Sequence, residues 1–133
     1  VSDPARTAQA LFDRLPGARW VAITLGAQGA LLAERGGELL TARETAPVPV
    51  ADTVGAGDCF LAGLMVALLD CPGVKDAADA QAMRVTGSEL PAVLAQAVAT
   101  ASLCVMRTGC QPPTREEVRE RLRAAPTQVT ALA

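Results

Sequence analysis

The segment Asp52-Thr53-Val54-Gly55-Ala56-Gly57-Asp58 leads straight into an uncharged apolar run, Cys59–Leu69. Gly55 and Gly57 can take backbone angles closed to other residues and put no side chain in a ligand's way. A glycine-rich turn that opens a helix presents unpaired N–H groups at the positive end of the helix dipole. That arrangement binds anions, phosphate above all. A carboxylate there is repulsive unless it has a task. Asp58 could take the proton of a hydroxyl attacking phosphorus, because phosphoryl transfer needs orientation and charge stabilisation more than basicity. On the residues alone, Asp58 could equally complement the helix dipole from the first turn.

Other phosphate-binding motifs fit less well. A Walker A loop needs a Lys after its glycines, and Lys75 is the only Lys in the chain. A dinucleotide fingerprint would place its third glycine at Phe60 and leave Asp58 without a role. No H-R-D or D-F-G of a protein kinase occurs. The chain has no His, which removes His-based triads, bases and metal sites. Cys59, Cys71, Cys104 and Cys110 show no C-x-x-C spacing, so the sequence gives no zinc or thioredoxin motif. They read as buried thiols in a reducing, cytoplasmic setting.

Periodicity gives the surroundings. Pro4–Leu15 reads as a helix capped by Asp3 and stopped by Pro16-Gly17, with Ala8, Leu11, Phe12 and Leu15 on one face. Arg19–Leu25 reads as a strand covered on both faces. Ala30–Glu34 and Glu38–Ala42 form a hairpin about Gly36-Gly37, and Pro47 and Pro49 belong to an edge or loop. Phe60–Leu69 is apolar nearly all round and is expected to be central and buried. Cys71–Gly87 reads as a surface excursion with one short helix at Asp76–Met83. Ser88–Met106 is a second apolar helix with Ser88 as N-cap and Pro91 in its first turn. Thr114 and Glu117 have capping-box spacing and open a charged helix through Ala124, after which the last nine residues look frayed.

Strands and helices in this order argue a layered α/β fold, with too few strands for a whole sheet. Aromatics make up only 2 % of the chain, so the core rests on Ala, Val and Leu. A formal net charge of −2 speaks against a nucleic-acid partner or an anionic membrane surface. The uncharged runs Leu90–Met106 and Cys59–Leu69 fall short of the roughly 20 apolar residues of a membrane span. No signal peptide is visible.

D-T-V-G-A-G-D followed by C-F-L-A-G-L resembles the C-terminal signature of the PfkB (ribokinase-like) carbohydrate kinases. Ile23-Thr24-Leu25-Gly26-Ala27-Gln28-Gly29-Ala30 resembles the family's T-L-G-x-x-G nucleotide segment. Val105–Pro112 is similar to its closing segment. The resemblance spans nearly the whole chain. It implies a C-terminal part of a ribokinase-like three-layer α/β/α sandwich, with residues 1–133 forming the nucleotide-binding and catalytic portion. The N-terminal sugar-binding half and lid would be absent.

The resemblance further implies Asp58 as catalytic base and sugar-contacting residue, and Gly55, Ala56 and Gly57 as the anion hole. Thr24, Gly26, Gly29, Gly57 and Val98 would bind nucleotide. A monovalent cation, potassium, would be held by the Asp52 carboxylate and carbonyls of Val54, Cys104, Arg107 and Gly109. Pro113 stands where some relatives place a Ser hydroxyl. ATP, Mg2+ and K+ are the expected cofactors, and a small sugar the substrate. The motif variant is most like fructokinases, with ribose, 2-keto-3-deoxygluconate and nucleosides as alternatives. The expected assembly is a homodimer, or association through the surface left by the missing half. Chain 1–133 alone is expected to be inactive. A non-catalytic nucleotide-binding module and a dinucleotide-binding dehydrogenase fragment remain open alternatives.

Overall fold

A computed structural model describes residues 3–132. Four antiparallel strands, β1 (Trp20–Thr24), β2 (Ala30–Glu34), β3 (Leu39–Arg43) and β4 (Gln128–Leu132), lie in the order β1-β2-β3-β4. Successive side chains on a strand point to opposite faces, and β2 shows what this does. Its Leu31 and Ala33 join Val21 against Ala8 and Phe12 of helix α1 (Pro4–Arg14). Its Ala30 and Leu32 join Leu40 and Ala42 against helix α4 (Leu90–Val105). Helices therefore cover both faces of the sheet, and the fold is a three-layer α/β/α fragment.

Helix α2 (Ala56–Asp70) packs beside α4 rather than on the sheet. Gly63 permits the close approach, since a Cβ there would lie 2.6 Å from Thr100 Oγ1 and 3.2 Å from Ala97 Cα. The short helix α3 (Pro72–Lys75) follows, and α5 (Arg115–Ala124) packs on α4. Gly87–Val105 is apolar and long enough in composition for a membrane span, but half of it is buried, with Leu94, Ala97 and Ala99 fully enclosed.

Local signals account for most element boundaries. Asp3 accepts from the Ala5 N–H at 3.0 Å and caps α1. Thr114 and Glu117 form the reciprocal capping box of α5. Several expectations are corrected. Leu15 caps α1 and is exposed rather than on its buried face. Strand β1 is covered on one face only, by α1, leaving Ala22 and Thr24 exposed, because α4 packs over β2, β3 and β4 instead.

Helix α2 buries one side (Cys59, Phe60, Gly63, Leu64, Ala67), while Leu61, Met65 and Leu69 are more than half exposed. No described element packs over them. Within Asp76–Met83, where a short helix is expected, stands only a 3-10 turn, Ala80–Ala82, capped by Asp79; the α-helical turn of this excursion lies earlier, at Pro72–Lys75, where Pro72 occupies N1. Ser88 is not the N-cap of α4. A capping box of Thr86 with Glu89 closes a 3-10 turn, Gly87–Glu89, that leads into it. Gln128–Leu132, expected to be frayed, pairs with β3, Val129 opposite Ala42.

Candidate functional site

The glycine-rich turn forms the N-terminus of α2. Gly55 is its N-cap in the left-handed conformation, φ +81°. A Cβ at Gly55 would lie 2.2 Å from Cys110 Sγ, so glycine is required both by angle and by space. Ala56 N–H donates to the Thr53 carbonyl at 3.2 Å. Among the described residues the N–H groups of Gly57 and Asp58 have no backbone acceptor. They stand at the positive end of a 15-residue helix, where an anion replaces the missing partners. A Cβ at Gly57 would meet nothing within 4 Å, so this side of the turn is open. Asp58 lies in the first turn with its side chain exposed.

Asp52 fixes the loop from behind. Its Oδ1 accepts from Val54 N–H at 3.0 Å and its Oδ2 from Gly109 N–H at 2.9 Å. The carboxylate thus ties the glycine turn to the loop after α4. Ala51 and Asp52 N–H groups both donate to the Val105 carbonyl, at 2.7 and 3.1 Å. The two N–H donors hold the Asp52 carboxyl below its ordinary pKa. A depressed carboxylate pKa contributes stability above its unfolded value, and loses it as pH falls through the folded value. Asp52→Ala should therefore lower the thermal midpoint at neutral pH, and the gap from the parent should narrow as pH falls below about 4. A gap independent of pH down to about 3 would contradict the tie.

A groove of about 500 Å³ runs from this turn across the sheet edge. Thr24, Gly26 and Gly29 line it, with Ala56, Gly57 and Val98. Two sequence segments about 30 residues apart and a residue of α4 thus share one cavity. Gly29, φ +94°, is also forced: a Cβ there would lie 1.8 Å from the Ala42 carbonyl. Val98 serves two roles, core side chain and groove wall.

Sequence reasoning missed several lining residues. Val48 and Val50, around Pro49, supply an apolar wall, and Ser102 a hydroxyl that donates to the Val98 carbonyl at 2.9 Å. Glu44 closes one end, held by Arg121 at 2.7 Å and Thr127 at 2.6 Å. Only the Pro47/Pro49 loop signal pointed that way. Asp58 and the expected cation ligands Asp52, Val54, Cys104, Arg107 and Gly109 do not line the groove.

Of the expected cation ligands, Asp52 meets Val54 and Gly109, but through their N–H groups, each of which donates to one carboxylate oxygen. The Cys104 carbonyl already accepts the Arg107 N–H at 3.1 Å. The Arg107 guanidinium pairs with Glu117 at 2.9 Å and reaches the Pro112 carbonyl at 3.5 Å, next to Pro113.

Solved structures share this architecture. Ribokinase from Giardia lamblia matches at 24 % identity and TM-score 0.73, over 93 % of this chain and 38 % of its own. Arabidopsis thaliana ribokinase, complexed with ribose and ATP, matches at 28 % and TM-score 0.67, over 89 % of this chain and 33 % of its own. A fructokinase double mutant from Vibrio cholerae, with fructose, ADP and potassium ion bound, matches at 22 % and TM-score 0.67, over 90 % and 35 %. The chain thus spans little more than a third of the length of these proteins. The comparison with curated proteins gives no match. The fold is ribokinase-like, and a family model, pfkB family carbohydrate kinase, matches residues 2–117. That match takes in both the groove-lining glycines and the α2 cradle, and the chain belongs to the pfkB family of carbohydrate kinases.

Proposed function

We propose that residues 1–133 are the C-terminal, nucleotide-side portion of an ATP-dependent sugar kinase. The observation that carries this is the groove that joins the Thr24–Gly29 turn to the open N-terminus of α2. A nucleotide lying along the groove would direct its phosphates toward the Gly57 and Asp58 N–H groups. Val48, Val50 and Val98 would offer apolar surface to its base. Asp58 would accept the proton of the sugar hydroxyl as the oxygen attacks the γ-phosphorus, and the bond to the bridging oxygen of ADP would break. The Gly55-Ala56-Gly57 turn would stabilise the migrating phosphoryl group. Mg2+ would arrive with ATP and offset phosphate charge. Asp52 with the carbonyls of Val54, Arg107 and Gly109 would hold K+, whose charge would stiffen the turn.

The sugar-binding half is proposed to lie outside these residues. The free edge of β1 and the exposed stripe Leu61, Met65 and Leu69 on α2 offer it a sheet edge and an apolar face. The chain alone would accordingly lack turnover and self-associate through that face. Fructose is the favoured acceptor, by likeness of the D-T-V-G-A-G-D-C-F motif to fructokinases. ADP release measured with fructose, ribose, 2-keto-3-deoxygluconate and nucleosides tests this in a protein that joins the chain to a sugar-binding half. Fructose should give the highest kcat/KM. ATP bound with no transfer to any acceptor would favour a non-catalytic nucleotide-binding module.

A further inference from the structure

Three of the four cysteines, scattered in sequence, converge behind the glycine turn. Cys59 sits on the first turns of α2, Cys104 near the end of α4, and Cys110 in the loop beyond. Their sulfur atoms all lie within 4.8 Å of one another. Cys59 and Cys104 are buried, while Cys110 is exposed and gives access from solvent. We propose that Cys59, Cys104 and Cys110 form a site for a soft divalent cation of the zinc and cadmium class, with solvent as the fourth ligand.

The geometry suits such an ion. Metal–sulfur bonds of about 2.3 Å place the sulfurs of a three-thiolate set about 4 Å apart, inside the observed limit of 4.8 Å. Thiolates select soft cations over Mg2+ or K+. Burial and the two neighbouring thiols push the Cys59 thiol up to about 12. Metal binding takes the thiols as thiolates and releases protons, and three thiolates with one divalent ion leave a single net negative charge. Apart from the neighbouring thiols, Cys104 Sγ makes one long contact among the described residues, to the Val54 carbonyl at 3.8 Å, so the sulfur keeps its capacity to coordinate. The ion would clip α2, α4 and the 106–112 loop together at the point where Cys110 touches Gly55. The thiol cluster adjoins the Asp52 tie, with Cys104 Sγ against the Val54 carbonyl and Cys110 next to Gly109, but uses sulfur ligands only and does not depend on the kinase reading.

The test is a titration of the fully reduced full chain with Cd2+, without nucleotide. Thiolate-to-metal charge-transfer absorbance should saturate at one ion per chain. The bound ion should protect three thiols from an aromatic disulfide reagent and raise the thermal midpoint. Cys110→Ser, at an exposed position that keeps the fold, should weaken Cd2+ binding by at least about tenfold. Cys71→Ala, whose sulfur lies elsewhere in the core, should leave it unchanged. Circular dichroism verifies that both variants are folded. Absence of stoichiometric charge-transfer absorbance, or binding indifferent to Cys110→Ser, would overturn the proposal.

Discussion

Replacing Asp58 by Asn should lower phosphoryl transfer by about a thousandfold, the range expected for loss of a positioned base. The setting is a protein carrying this chain with a sugar-binding half, and the affinity for ATP should stay within about twofold. Asn conserves the size of the side chain and removes only its capacity to take a proton. Asp58 is exposed, and among the described residues its carboxylate makes no hydrogen bond or ion pair. No fold contact therefore confounds the change. Loss of a negative charge beside the cradle should, if anything, favour a polyanion in the ground state. A fall in kcat with unchanged nucleotide affinity thus isolates proton transfer from binding. Turnover close to the parent's would remove Asp58 from the reaction and leave the helix dipole as its only use.

Gly55→Ala should damage the site by another route. The alanine would have to hold φ +81°, at about 1–2 kcal/mol. Its Cβ would also overlap Cys110 Sγ, 2.2 Å away, and overpacking of this kind costs about 1–3 kcal/mol. The turn must shift, and the N–H groups of Gly57 and Asp58 shift with it. ATP affinity should fall more than about tenfold, equivalent to about 1.4 kcal/mol. Adding Cys110→Gly removes the sulfur and restores the overlap part of the loss, but not the conformational part. Gly57→Ala is the contrast, because a Cβ there meets nothing within 4 Å. Its thermal midpoint should match the parent's. Equal stability of Gly55→Ala and the parent would mean that the turn does not need its observed shape.

Elements with a local cause were legible in the sequence. The Asp3 cap, the Gly36-Gly37 hairpin and the Thr114–Glu117 box each rest on residues within a few positions, and all three stand in the structure. What failed depended on distant partners. Gln128–Leu132 is a strand only because β3 offers it an edge. The all-apolar composition of α2 could not reveal that only one side meets α4. At the N-terminus of α4, Ser88 is the obvious cap, yet Thr86, two positions before it, and Glu89, directly after it, satisfy each other instead.

The site divides the same way. The motif residues Gly55, Ala56 and Gly57 form the helix start that their composition implied, although Ala56 N–H is engaged by Thr53. Glu44, Val48 and Val50 reach the groove through a loop with no periodic pattern, and the thiol cluster joins three separate segments. Such proximity exists only once the chain has folded.

Calorimetric titration of the chain with ATP and, separately, with NAD measures whether the groove and the α2 cradle together bind ATP. ATP should bind at one site per chain, and more than about tenfold more weakly in Gly55→Ala, with no binding of NAD. Binding of NAD without binding of ATP would contradict the account.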